Sequence, residues 1–434
     1  MVVRHPTIFY EPQSSAAAAA LKSNSRPLLV VSLFFILAGN ISLATTVGDQ
    51  SSVFTAVIRA AGLACGIGGL MVALSKQADN RIQPLVLWLS PFAVFLMYCT
   101  FSAAWSLQPS ATLIRSAETM TTVGFSALWT HVAARQCRSE RDLCTWIASA
   151  VIAVALYGLF VNAALFGDPI RIVVSNEETV RARFVFGSLH PLAVGDILAI
   201  GAIATMMSSF RISRKVLALL LLLLLLYLTN ATGAAIMATA IGAGYGGVII
   251  VKNLGAARSI VLLPFSMVTA GFAVGIAFAL ELPLTRRLVE DQRLWTFTGR
   301  TQLWSAIWES GLASTWFGTG FDAARSAILE IFGVAYQVHN QYLAVLVELG
   351  YVGLAQFIPV LVIWLVPIVK SQSLVIGCFT LYILGINMDN ASMFTKTWLI
   401  FLTVFCYVLA LEMRRRSWRS GGRTHKTSSR ELLT

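Results

Sequence analysis

The chain has 434 residues, of which 57% are hydrophobic and 12% are charged, with a mean hydropathy of +0.75. A soluble globular domain carries about twice that charged fraction, so the composition excludes an ordinary soluble protein. The net charge is +12, but most of the basic residues lie in short loops between apolar runs. That placement is typical of a membrane topology signal and not of nucleic-acid binding.

Apolar runs long enough for a helix to cross the hydrocarbon core, about 20 residues, recur along the chain. They predict an all-α polytopic integral membrane protein with about twelve transmembrane helices. The approximate centres of these helices are Phe35, Leu63, Val94, Thr122, Ala155, Ile200, Leu222, Ala240, Val268, Phe357, Thr380 and Thr403.

Basic residues fall in every second loop between these runs, and also in the N-terminal arm and the C-terminal tail. Because positive charge favours the cytoplasmic side of a membrane, we expect both termini to be cytoplasmic. The chain then divides into an N-terminal arm (1–26), a transmembrane domain (27–411) and a basic tail (412–434). The first apolar run is expected to be a retained anchor, and the tail to contact anionic lipid.

Two loops on the opposite side of the membrane are longer than a turn, residues 168–189 and residues 281–340. Long loops of this kind are usually functional. Both contain arginine but no lysine, and guanidinium groups bind phosphate oxygens through two parallel hydrogen bonds. These arginines can instead pair with nearby carboxylates or with lipid headgroups. The eight are Arg171, Arg181, Arg183, Arg286, Arg287, Arg293, Arg300 and Arg325.

The second loop also contains tryptophans at helical spacing. Trp304 and Trp308 recur with Leu303, Ile307 and Leu312, which predicts an amphipathic helix lying on the membrane surface. Such tryptophans can stack on sugar faces at the level of the headgroups, or they can simply anchor the helix. Together with the arginines, they favour a site for a diphosphate-bearing lipid.

His339 lies directly before an apolar run and is the only histidine of this loop. A neutral imidazole at this place can take a proton from a sugar hydroxyl. The alternative is a cap or another structural role at the junction of loop and helix. The sequence has no Asp-x-Asp pair, no His/Cys set with metal-ligand spacing and no Walker-type loop, so we expect neither a metal ion nor another cofactor.

Charged residues also occur within the apolar runs. Arg115 and Glu118 are about one helical turn apart and are expected to pair on their own helix. Asp196 has no evident partner in the sequence, and Glu348 follows His339 by two to three turns of a helix. Asp196 and Glu348 are therefore secondary candidates for the site.

Three segments of the chain resemble motifs of one family. His339-Asn340 is followed by nine residues and then Gly350, which is similar to a His-(Asn/Ser/Gln) pair with glycine at the same distance. The piece from Thr298 to Trp304, with Phe317-Gly318-Thr319-Gly320-Phe321 after it, and the segment from Trp105 to Thr112 resemble two further motifs. On these residues the chain resembles the O-antigen ligase and Wzy-type polysaccharide polymerase superfamily, and within it the ExoQ-like exopolysaccharide polymerases.

The chain departs from this pattern in two places. Relatives often carry Ser-Arg-Gly after the leucine-rich run, where this chain has Ala231-Thr232-Gly233, so an arginine contact to phosphate is missing. The piece from Gly187 to Pro191 is one residue shorter than in the family. For that reason no catalytic role is carried over to His190.

The resemblance implies a GT-C-like enzyme in the bacterial inner membrane whose active site faces the periplasm. It would carry out a metal-independent, inverting glycosyl transfer from a glycan on a polyprenyl diphosphate. His339 would be the base for the acceptor hydroxyl, and Arg300 would hold the diphosphate. The expected substrate-binding residues are Arg181, Arg183, Arg293, Asn340 and Trp304.

Polymerases and ligases share these motifs and differ in the acceptor, which is another lipid-linked repeat unit or a lipid A core. The resemblance to ExoQ-like proteins favours a polymerase. A transporter or flippase of lipid-linked sugars is an alternative, although the sequence shows no internal repeat. A further alternative is that the protein is a structural or regulatory partner in a polysaccharide export complex. For the enzyme, the expected partners are the lipid-linked oligosaccharide, the lipid bilayer, a chain-length regulator and export proteins.

Overall fold

The structure is a computed structural model, and it describes residues 16–39, 53–75, 83–175, 181–187, 189–249, 300–333, 337–389 and 396–428. Within these residues the chain is almost entirely helical, with one short antiparallel hairpin. The predicted span around Val268 and the predicted site residue Arg293 lie outside the described residues.

The described elements follow one another along the chain in a simple order. They are α1 (Ala16–Ala38), α2 (Val53–Ser75), α3 (Gln83–Phe101), α4 (Pro109–Gln136), α5 (Glu140–Phe166), β1 (Ile172–Ser175), β2 (Arg181–Phe184), α6 (Pro191–Met207), α7 (Ile212–Thr229), α8 (Thr232–Ile249), α9 (Arg300–Glu309), α10 (Ala324–Phe332), α11 (Gln341–Ser371), α12 (Leu374–Asp389) and α13 (Thr397–Ser428).

Eleven of the twelve predicted span centres lie in these helices, and the two short helices α9 and α10 lie in the second long loop. Helix α4, expected to span the membrane around Thr122, is 28 residues long but rich in small polar residues. Six stretches of the described chain are long and apolar enough to cross a membrane, as expected for a multi-pass membrane protein. They are Leu85–Ala104, Glu140–Phe166, Ile212–Thr229, Thr232–Ile249, Gln341–Ser371 and Thr397–Arg415.

Buried tryptophans join the helices of the core. The indole N–H of Trp129 in α4 donates to the carbonyl of Leu29 in α1 at 2.9 Å. The indole of Trp364 in α11 likewise donates to the carbonyl of Thr403 in α13 at 2.9 Å. Each ring fills the core while its N–H finds an acceptor, which avoids the cost of burying a polar group without a partner. These hydrogen bonds thereby join α1 to α4 and α11 to α13.

The described residues confirm the all-helical prediction except in the first long loop, which forms a short hairpin. Strand β1 pairs with β2 in antiparallel register, with Ile172 opposite Phe184. The side chain of Asn162 in α5 donates to the carbonyl of Val185 at 2.7 Å and accepts from the amide of Gly187 at 2.8 Å. These hydrogen bonds tie the end of the hairpin to a long helix.

Candidate active site

Helix α11 is broken at Gly350, the glycine that ends the His-Asn motif. Its φ of 66° and ψ of −164° depart from helical geometry. A side chain is strained at a positive φ of this kind, and a Cβ here would also overlap the backbone of Trp316. A break in a helix leaves backbone N–H and C=O groups without their partners in the helix, and these groups then need partners elsewhere. The glycine is therefore required by both backbone conformation and close packing.

The loop containing Gly318 and Gly320 provides those partners. The amide of Thr319 donates to the carbonyl of Val347 at 3.0 Å, and the amide of Gly320 donates to that of Glu348 at 2.8 Å. On the other side of the break, the amides of residues 351 and 352 donate to the carbonyls of residues 315 and 316 at 3.0 and 3.1 Å. The loop thus completes the hydrogen bonding of the broken helix.

The two glycines of this loop are required by close approach. Gly318 has a φ of 72° and Gly320 a φ of 103°. A Cβ on Gly318 would overlap the backbone of Glu348, and a Cβ on Gly320 would overlap Ser106. The Gly-x-Gly motif therefore lets one loop pack between α11 and the segment before α4.

The segment around Trp105 also packs against the Gly-x-Gly loop, which already contacts the broken helix α11. The indole N–H of Trp105 donates to the carbonyl of Phe317 at 2.9 Å. The amide of Leu107 donates to the carbonyl of Thr319 at 3.0 Å. The hydroxyl of Thr112 donates to the carbonyl of Phe321 at 2.7 Å. Residues 102–112, 315–322 and 347–352 thus form one unit, the motif junction, in which the three sequence motifs meet.

Charged side chains reinforce the motif junction. Arg115 pairs with Glu118 at 2.8 Å, which confirms the predicted pair, and its Nε also donates to Asp322 at 2.9 Å. The carboxylate of Glu348 is hydrogen-bonded by the backbone N–H groups of Asp322 and Ala324. Because Ala324 begins α10, the side chain of Glu348 provides an acceptor for backbone amides at the start of that helix. Glu348, a secondary candidate from the sequence, therefore has a structural role.

His339 lies at the start of α11, beside the motif junction. Its φ of 53° is in the left-handed region, which is uncommon for residues other than glycine and is often found at functional sites. Burial, followed by the nearby charges of Arg300, Lys396 and His190, lowers the pKa of His339 to about 3. The imidazole is therefore neutral at pH 7, which is the protonation state that a general base requires. Among the described residues, its buried Nδ1 has no hydrogen-bond partner.

Asn340 is the N-cap of α11. Its side-chain oxygen accepts hydrogen bonds from the amides of Tyr342 and Leu343 at 3.0 and 3.1 Å. Asparagine is among the preferred residues at this position because it satisfies amides that have no partner in the first turn. The cap accounts for an asparagine directly after His339, while its contact with substrate stays a prediction.

Trp304 is hydrogen-bonded to the backbone of Val338, the residue before His339. Its indole N–H donates to the carbonyl of Val338 at 2.8 Å. The predicted amphipathic helix is present as α9, with Ile307 fully buried against the start of α11. The helix ends at Glu309, and Leu312 belongs to a separate 3-10 turn. Helix α9 therefore begins and ends earlier in the chain than predicted, and its apolar face packs against protein.

Two basic residues that the sequence analysis did not assign to the site, Lys396 and His190, lower the pKa of His339 together with burial and Arg300. Lys396 lies just before α13, and its Nζ is 3.7 Å from a carboxylate oxygen of Asp196 in α6. His190 is the N-cap of α6 and accepts from the amide of Leu192 at 3.3 Å. Lys396 could have been noticed as a lysine on the predicted outer side, against the usual charge bias.

The structure describes the backbone of Arg181 and Arg183, which lie in β2 opposite Ser175 and Val173. Their contact with a diphosphate stays a prediction, as does that of Arg293. Throughout the described part of the chain, no group of three or more His, Cys, Asp or Glu residues could hold a metal ion.

Comparison with known families agrees with this arrangement. Residues 217–358, about a third of the chain, match the family model described as O-antigen ligase. No curated protein matches the chain. The matched range includes Arg300, Gly318, Gly320, His339 and Gly350, whereas the Trp105 segment lies outside it and joins it only through the motif junction. This match confirms that the chain is similar to the O-antigen ligase and Wzy-type superfamily over residues 217–358.

Proposed function

We propose that the protein is a glycosyltransferase that polymerises polyprenyl-diphosphate-linked oligosaccharides at the outer face of the bacterial inner membrane. The observation that carries this proposal is a neutral His339 at the start of an apolar helix, next to the helix α9 that carries Arg300. The indole of Trp304, one turn after Arg300, donates to the carbonyl of Val338 at 2.8 Å. A base next to a cation suits a transfer in which a hydroxyl loses a proton and a diphosphate leaves. The O-antigen ligase family match supports the same class of reaction.

In the proposed reaction, the imidazole of His339 takes the proton of an acceptor sugar hydroxyl. The hydroxyl oxygen then forms a bond to the anomeric carbon of the donor sugar, from the face opposite the diphosphate. The bond between that carbon and the diphosphate oxygen breaks, and its electron pair stays on the polyprenyl diphosphate. Arg300 stabilises the negative charge that develops there, and the configuration at the anomeric carbon is inverted.

Exposed aromatic side chains within the motif junction support a donor that is held in a membrane. Trp316 is 70% exposed and Phe317 is 57% exposed. Trp316 has its ring edge against Tyr351, and Phe317 is similarly placed against Trp105. Aromatic rings are enriched at the headgroup level of membranes because they have both apolar and polar parts. A lipid diphosphate whose tail lies in the bilayer would present its headgroup at this level.

The second candidate function is ligation of a finished glycan to a lipid A core. It is favoured by the description of the matched family as O-antigen ligase. Base, cation and donor are the same in both functions, so only the acceptor differs. A chain-length regulator and export proteins would be partners of the polymerase and not of the ligase.

The test compares glycans from membranes that contain wild-type protein, His339→Ala or His425→Ala at equal expression. His425 lies in the basic tail and serves as the matched control. We expect His339→Ala to lose long polymer while single repeats are still made, and His425→Ala to behave like wild type. Loss of attachment to lipid A with polymer intact would identify the ligase. Unchanged products from His339→Ala would overturn the base assignment and favour a transport or scaffolding role.

A further inference from the structure

A groove of about 430 Å³ lies between α3 and α11. Both helices belong to stretches that are apolar enough to cross a membrane, and Val94 in the lining is 56% exposed, so the groove opens toward lipid. The rest of the lining is also mostly apolar, and it includes the small, exposed side chains of Ser90 in α3 and Ala355 in α11. Small residues let a second transmembrane helix approach closely. The groove therefore has the shape of a contact site for a helix.

Gln356 is a polar, half-buried residue of this lining. It follows the helix break at Gly350 by six residues, or roughly 9 Å along α11, so its amide lies in the membrane below the exposed ring of Tyr351. In the described part of the chain, no hydrogen bond satisfies this amide. Lipid chains can fill the groove, but they provide neither a donor nor an acceptor. Because an unsatisfied amide in hydrocarbon is costly, Gln356 indicates a partner with hydrogen-bonding groups at this depth.

Helix α11 also carries a ridge of exposed side chains beside the groove. Ile358, Val362 and Val366 are 51%, 53% and 43% exposed, and their spacing of four residues places them on one face of the helix. Pro359 and Ile363, which line the groove, each follow one of these ridge residues in the sequence. Ridge and groove therefore lie at the same depth in the membrane. The ridge is β-branched, and such side chains have little rotamer freedom to lose when they pack.

We propose that the groove binds helix α11 of a second copy of this chain, and that the protein forms a two-fold symmetric dimer in the membrane. All copies are inserted in one orientation, so the symmetry axis of such a dimer is parallel to the bilayer normal. Each residue then meets residues at its own depth. The ridge of each copy packs into the groove of the other, because ridge and groove share one depth on the same helix.

The same symmetry places the two Gln356 side chains together. A glutamine amide has an acceptor oxygen and two N–H donors, so each copy can donate to the other and accept from it. Hydrogen bonds of this kind between helices favour association in membranes. The second copy thus gives the amide of Gln356 the partner that a lipid chain cannot provide. This inference goes beyond the proposed function and does not depend on it, because no residue of the groove takes part in the proposed reaction.

The test measures fluorescence energy transfer between donor-labelled and acceptor-labelled full-length protein in phosphatidylcholine vesicles, over a range of protein-to-lipid ratios. Ala355→Phe fills the groove, and Gln356→Leu removes the amide. Ala240→Phe, at an exposed position of α8, is the matched control for added bulk. We expect Gln356→Leu to weaken association about tenfold, as for loss of hydrogen bonds between helices. Ala355→Phe should weaken it more strongly because its ring blocks the ridge, while Ala240→Phe should stay within about threefold of wild type.

Wild-type energy transfer no greater than random proximity produces would overturn the inference. Association that Ala355→Phe and Gln356→Leu both leave unchanged would also overturn it, because the contact would then lie on another face. A monomeric wild type, together with weaker binding of a polyprenyl diphosphate by Ala355→Phe than by Ala240→Phe, would assign the groove to a lipid chain instead. Gln356→Leu adds no bulk and keeps the test decisive if Ala355→Phe does not elute as a folded protein.

Discussion

The backbone amide of Gly320 donates a 2.8 Å hydrogen bond to the carbonyl of Glu348 and so joins the Gly-x-Gly loop to the broken helix α11. The same loop begins after α9, which carries Arg300, and the same helix begins after His339. This contact therefore helps to determine the distance between the proposed base and the proposed diphosphate-binding residue. Several predictions about individual side chains depend on that arrangement.

Gly320→Ala should destabilise the protein more than Gly333→Ala. Both glycines have a positive φ, but a Cβ on Gly320 would overlap Ser106, whereas a Cβ on Gly333 has nothing within 4 Å. Each substitution costs about 1–2 kcal/mol for the backbone, and overpacking adds about 1–3 kcal/mol at Gly320 alone. Thermal unfolding in detergent measures the difference. Equal losses of Tm in the two variants would contradict the packing of the motif junction.

Asn340→Ala should lose about 1 kcal/mol of stability because the cap of α11 is removed. Asn340→Ser keeps a capping oxygen and should unfold at nearly the wild-type temperature. Glycan synthesis by the serine variant then distinguishes two roles for the side chain. Activity close to wild type indicates that capping is its main role, while a stable but inactive variant indicates that the amide contacts substrate.

Trp304→Phe should reduce kcat with little change in the KM for the lipid-linked donor. The variant keeps an aromatic ring but loses the 2.8 Å hydrogen bond to Val338, leaving an acceptor without its partner at a cost of about 1–3 kcal/mol. His339 is then held less firmly. Trp308→Phe, on the exposed side of the same helix, is the control. If stacking on a sugar is the main role of Trp304, the phenylalanine variant should retain nearly full kcat.

The pH dependence of kcat/KM should differ between wild type and Arg300→Gln. Burial, and then Arg300, Lys396 and His190, lower the pKa of His339 to about 3, so the free wild-type enzyme keeps a neutral base down to acidic pH. Removing the positive charge of Arg300 raises this pKa. Protonation then inactivates the variant at a higher pH, and its acid limb moves upward. Steady-state rates across the acidic range test this, and a downward shift would contradict the electrostatic assignment.

Much of the helical framework could be predicted from the sequence. Apolar runs long enough to cross a membrane predicted eleven helices that the structure contains. They could be predicted because hydropathy and the length of an apolar run are local properties of the sequence. His339-Asn340 and Gly350 were also recognisable from their spacing along one helix. The hairpin was missed because its strands are only four residues long and are held by Asn162 from another element.

The sequence by itself therefore determined the membrane class, most of the helices and the identity of the proposed base. Only the tertiary structure decided which residues surround that base. Trp105 and Phe317 are 212 residues apart yet share a hydrogen bond, and Arg115 donates to Asp322 across 207 residues. No periodicity or spacing encodes such contacts, because they arise when separate helices pack and the broken helix α11 requires hydrogen-bond partners from elsewhere in the chain.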